Sequence, residues 1–180
     1  MAWTAPQTWA ANAVLTAADL NIHLRDNMLE TMPAKAVTEG SIFVTSGANS
    51  IVERQIVTAR VTTSQSTSST SYTNLATVGP TVSVTTGTGA IIFHSCSVQN
   101  NGSGFSSMSW DISGATTRAA LDADAIRHDG VAASNPWKLG VTDIVTAVLT
   151  PGVNTFTAKY KAESGSTATF ADRFICVIPF

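Results

Sequence analysis

The spacing of apolar residues changes its period once along this chain. Between Thr16 and Leu29 the apolar positions Leu20, Leu24 and Met28 fall four apart, which is helical spacing. Thr16 followed by Asp19 three residues on has the form of a capping box, so a helix is predicted to open there, with Pro33 and Gly40 bracketing its exit. At this length a helix is marginal in water and needs a surface on which to pack its apolar stripe. The surface expected from the pattern is another copy of the same helix.

Beyond the helix the period becomes two. Ser41–Thr45 reads as a short strand, Gly47 to Asn49 as a turn, and Ile51 to Val61 as extended chain. Thr62 to Ser71 is almost wholly Thr and Ser, which predicts a loosely packed linker. From Tyr72 on, short strands are predicted at Thr81–Thr85, Ala90–Val98, Phe105–Ile112, Val141–Leu149, Val153–Ala162, Thr167–Phe170 and Arg173–Phe180, with Gly, Pro and Asn between them. In Val153–Ala162, Phe156, Ala158 and Tyr160 share one face and Thr155, Thr157, Lys159 and Lys161 the other. The closing segment is apolar on both faces, which suits a central strand or one facing a second subunit. The expected fold is mainly β: an antiparallel β-sandwich, jelly-roll-like, preceded by an extended arm and one short α-helix. Its parts are an anchor arm and helix at 1–40, an extended connector and linker at 41–71, and the head at 72–180.

Composition sharpens this picture. Thr and Ser make up 45 of 180 residues, a bias toward half-exposed sheet. Charged residues are 12% and the formal net charge is -2, so no basic face exists to neutralise phosphates and nucleic-acid binding is not expected. The first residues lack the charged and apolar regions of a secretory signal, and no window has the length of a membrane span. Assembly in the cytoplasm fits these features. Cys96 and Cys176 lie in apolar strands and are expected as free thiols in a reducing compartment, although sequence does not decide their pairing.

The arm carries Trp3, Pro6 and Trp9 in the run Trp-Thr-Ala-Pro-Gln-Thr-Trp. Large rings on an extended arm act as interface anchors; folding back onto the head is the alternative. This run, together with Leu15, Thr16, Leu20, Asn21, His23, Leu24, Arg25, Asp26 and Asn27, resembles the N-terminal segment of minor virion proteins of tailed bacteriophages that infect actinobacteria. Gly40 to Asn49 with Glu53 and Arg54 is similar to that family's connector, Ser69 to Pro80 to the start of its head, and Leu149 to Phe156 and Gly165 to Arg173 to its closing strands. The resemblance spans nearly the whole chain. It implies a non-enzymatic structural protein of the virion, of the minor tail, fibre or head decoration kind. It further implies a homotrimer, docked on capsid or tail proteins, whose head assists adsorption to the host. Under that reading Trp3, Pro6, Trp9, Leu15, Leu20, Leu24, Arg25, Asp26 and Met28 anchor the protein to the particle.

The residues offer little chemistry of their own. Asp122, Asp124, His128 and Asp129 form a carboxylate and histidine cluster whose spacing does not match a calcium-binding EF-hand loop. A solvated loop explains it, and a wall-degrading enzyme built on Asp122, Asp124 or His128 ranks last. His94 is expected as a hydrogen-bonded histidine facing inward or laterally, and His23 as a polar residue that sets the register between helices. No nucleophile elbow, phosphate loop or zinc motif is present. No cofactor and no metal are therefore expected. Core packing is the default expected for both Trp110 and Trp137; the rival function is a carbohydrate-binding module for host cell-wall glycans, in which Trp137, after Pro136 in a loop-rich stretch, is the better candidate for the glycan contact.

Overall fold

The computed structural model describes residues 4–5, 7–29, 31, 35–129 and 136–180. The chain forms two compact units, Met1–Gln55 with Phe180, and Ile56–Pro179. Trp3, Pro6 and Pro33 lie outside the described residues.

In the first unit the capping box closes as its sequence implies: the Asp19 amide donates to Thr16 Oγ1 at 3.1 Å and the Thr16 amide to the Asp19 carboxylate at 3.1 Å. The helix is α-wound over Ala17–Leu20, π-wound over Asn21–Asp26 and α-wound again over Asn27–Leu29. A six-residue π stretch is uncommon in a helix this short. A hairpin follows, β1 (Ile42–Gly47) against β2 (Ser50–Arg54), turned at Asn49 with φ 54°. The Glu53 carboxylate accepts from the Thr38 amide at 2.7 Å, from the Val37 amide at 3.3 Å and from the Ser41 hydroxyl, tying the preceding loop to the hairpin.

The second unit is an antiparallel sandwich. Its strands are β3 (Val57–Val61), β4 (Gln65–Thr67), β5 (Thr81–Thr86), β6 (Ala90–Asn100), β7 (Phe105–Gly114), β8 (Ile126–Asp129), β9 (Trp137–Val145), β10 (Gly152–Ala162) and β11 (Ala168–Pro179). One sheet runs β5-β10-β7-β8; the other runs β3-β11-β6-β9, with β4 pairing β11 beside β3. With β3 and β4 taken as one interrupted strand, these orders read 2-7-4-5 and 1-8-3-6, the wiring of an eight-stranded jelly roll. Alternation places Val82, Val84, Ile92, Trp110, Ile112, Phe156, Ile175 and Val177 in one interior cluster, and Cys96, Val98, Met108, Tyr160 and Phe170 in another. Both clusters draw from both sheets, which makes the unit a sandwich.

Four sequence expectations change. The segment 41–71 is not one connector: 42–54 is the hairpin, while β3 and β4 are sheet edge, so the Thr/Ser run is partly strand. Buried Arg173 explains this, because its guanidinium donates to the carbonyls of Thr63, Thr77 and Gly79 and to the Gln65 side chain at 3.2–3.3 Å, over the Tyr160 ring. Ile126–Asp129 is a strand where a loop was expected, and β9 begins at Trp137 rather than Val141. The closing strands at 167–170 and 173–180 are one strand, β11, interrupted by a bulge at Asp172 with φ 47°. The bulge adds one residue, so the inward parity changes from Ala168 and Phe170 to Arg173, Ile175 and Val177.

Candidate functional site

The N-terminal helix turns its polar side to its own arm. Asn27, buried, donates to the carbonyls of Thr4 at 3.1 Å and His23 at 3.2 Å, and its side-chain oxygen accepts from the Thr4 amide at 2.9 Å. Trp9 meets His23 edge-on, with ring centroids 6.0 Å apart at 88°. His23 thus serves a contact inside its own unit. Arg25 and Asp26 form an ion pair at 2.7 Å on the same helix. With the polar side occupied, the apolar residues face outward: Leu24 is 58% and Met28 69% exposed, and Leu15, Leu20, Ile22 and Leu29 are exposed beside them. Of the residues expected to anchor the protein, Trp9, Leu15, Leu20, Leu24 and Met28 are therefore all exposed. This inversion comes from Asn27 and His23, whose roles no apolar period could reveal. The hydrogen bonds from Thr16 hold the Asp19 carboxyl below its usual range.

The second candidate lies on the sandwich. Trp137 is 59% exposed, which corrects the default expectation of core packing, and its ring tilts over His128 with centroids 6.3 Å apart. Close by, Arg127 pairs with Asp129 at 2.6 Å and lies over the Phe105 ring at 4.2 Å. Lys161 pairs with Asp122 at 2.5 Å and lies over Tyr72, whose hydroxyl donates to Asp122 at 2.9 Å. Trp110 by contrast is buried, under the Arg118 guanidinium at 4.2 Å. The cluster 121–130 does not converge. Asp122 answers Lys161 and Tyr72, Asp124 pairs with Arg118, and Asp129 pairs with Arg127. These contacts, Lys161 first, hold the Asp122 carboxyl low. Among the described residues no three His, Cys, Asp or Glu side chains form a metal-holding group.

Among the described residues several buried polar atoms have unmet hydrogen-bonding capacity, Arg173 Nε and both ring nitrogens of His94 among them. His94 is buried as expected, yet neither ring nitrogen has a hydrogen-bond partner, which corrects the expectation of a satisfied histidine. Its Nδ1 stands 3.6 Å from Asp143 Oδ2, too far for a hydrogen bond, while Trp110 Nε1 donates to that carboxylate at 3.2 Å. Burial pushes His94 down to about 4 and raises the Asp143 carboxyl. Desolvation outweighs the pull of the Met108 and Asp124 backbone toward the charged ring, so His94 is neutral above that value. Cys96 and Cys176 are free thiols on opposite faces of the same sheet; burial pushes Cys96 up to about 12.

Compared with known proteins, the chain matches no family model, and no curated protein sequence is significantly similar to it.

Proposed function

We propose that this chain is a structural protein of a bacteriophage virion, a non-enzymatic homotrimeric appendage of the tail, fibre or head decoration kind, held to the particle by its N-terminal arm and helix. The jelly-roll unit is the part displayed. The observation that carries this reading is the helix that spends its polar side on its own arm and leaves Leu20, Leu24 and Met28 facing outward. Such a surface is costly in water and is useful only when another protein covers it. The resemblance of the arm, connector and closing strands to minor virion proteins supplies the biological setting, and the appendage assembles in the host cytoplasm.

The test is incorporation. Covering one Leu and one Met is worth about 3–6 kcal/mol. Phage assembled with Leu24→Asp and Met28→Asp together should carry at least about tenfold fewer copies per particle, read by quantitative mass spectrometry of purified virions. Wild-type copy number in that variant would end the reading.

A second reading has its own observation, the open Trp137 ring beside His128, an arrangement suited to stacking on a sugar. In it the head binds host cell-wall glycans. Pull-down on purified cell wall should then fall at least about tenfold in Trp137→Ala, the loss of one stacked aromatic contact; equal retention would remove this reading.

A further inference from the structure

The two outer faces of the sandwich differ in kind. On the β5-β10-β7-β8 sheet the outward positions include Thr81, Ser83, Thr155, Thr157, Lys159 and Asp111, apart from Val153, and they answer each other: Lys159 pairs with Asp111 at 3.1 Å and Ser83 hydrogen-bonds Thr155 at 2.5 Å. That face is complete in water. On the other sheet, β11 turns Phe174, Cys176 and Ile178 outward, β6 turns out Ile91 and Phe93, and β9 turns out Ile144. Register sets Cys176 opposite Phe93, Ile178 opposite Ile91, and Ile91 opposite Ile144, so these side chains form one continuous patch. Phe93 is 39% and Ile144 64% exposed.

The patch has relief and a charged rim. Ser95 and Gly140 floor an open hollow of about 460 Å³ walled by Phe93, Phe174, Val141 and Thr142. Arg60, over the Phe174 ring at 5.0 Å, and Lys138 stand on the two edge strands, leaving the centre uncharged. An apolar centre within a polar rim is the anatomy of a protein interface. β9 also ends its sheet, so among the described residues no strand pairs with its outer edge, and it carries exposed Val141 and Ile144.

We propose that this face and the adjoining β9 edge are the surface through which copies of the chain pack on one another. The proposal rests on the homo-oligomer proposed above and names its contact. A hollow in the face and apolar side chains on the neighbouring edge belong to the same chain, so the edge of one copy seats in the face of the next. That is a heterologous contact, which generates a ring where the rotation between copies closes. Four strands about 4.8 Å apart and about nine residues long at 3.3 Å per residue give roughly 570 Å² in plan. Side-chain relief and the edge bring this toward the ~800 Å² that one partner contributes to a standard interface.

Cys176 reports on the patch from its middle, and Cys96, in the interior, is a built-in control. The full chain is examined by light scattering for mass and by reaction with a bulky maleimide. The expected result is a multimer in which Cys176 is protected. Phe93→Glu, or Ile144→Glu at the more open position, should give a single-chain mass with Cys176 reacting at least tenfold faster, while Cys96 stays protected and thermal unfolding stays cooperative. Thr157→Glu on the polar face should change nothing. A multimer that persists in both face variants with Cys176 still protected overturns the proposal. So does a wild-type single chain, whether Cys176 is open or is shielded by the chain's own segments. If Leu24→Asp disperses the multimer and the face variants do not, the anchor reading stands and this contact is wrong.

Discussion

His94 is a buried side chain whose ring nitrogens find no hydrogen-bond partner. Its folded value of about 4 lies below the 6.5 of a free histidine, so between those values the unfolded chain binds a proton that the folded chain refuses. Stability should therefore be full above about pH 6.5 and fall as pH drops toward 4, by about 3 kcal/mol in all. Asp143, whose carboxyl is raised by burial, acts with the opposite sign at the lower end of that window. Urea unfolding between pH 4 and 8 should show the decline in the wild type and lose it in His94→Leu. The location of His94 was legible, because an apolar run on both sides implies the interior. Its unmet nitrogens were not, since they depend on how far Asp143 stands across the sheet.

Among the elements, β11 shows how one residue sets the orientation of a strand. Asp172 takes a left-handed φ of 47° and shifts the pairing between Ala171 and Phe174, so that the apolar residues after it reverse their faces. Removing Asp172 should send Ile175 and Val177 outward and bring Phe174 into the core, abolishing cooperative thermal unfolding by circular dichroism. Asp172→Gly, which keeps the count and relaxes the backbone, should be neutral or stabilising by about 1 kcal/mol. In the sequence this strand read as two pieces, because the alternation breaks at the bulge. β10, with no bulge, was legible throughout: Phe156, Ala158 and Tyr160 are buried as their spacing implied. β4 was hidden for a different reason. Its Ser and Thr contribute little apolar burial, and it is held by Arg173, more than a hundred residues away. Likewise the helix start was written in Thr16 and Asp19, whereas the side it presents to solvent was set by Asn27 reaching back to Thr4.

For the molecule as a whole, the relevant boundary is Gln55–Ile56. Both interior clusters are built only from residues beyond it. A chain starting at Ile56 should keep the melting temperature of the sandwich within about 3 °C by calorimetry, since the change expected from losing no core contact is below about 0.5 kcal/mol. A chain starting at Tyr72, the sequence-based boundary, lacks β3, β4 and two of the four groups to which Arg173 donates, Thr63 and Gln65, and should not fold. The sheet order carries a further consequence for how the protein comes into being. Of the strands of the sandwich among the described residues β11 is the last to be synthesised, yet it lies between β3 and β6 and takes hydrogen bonds from both. Nucleation of that sheet must wait for the ribosome to deliver residues 168–179, which makes folding slow and late, as high contact order requires. The helix, made before the sandwich and closed by its own local bonds, is ready well before the domain it precedes.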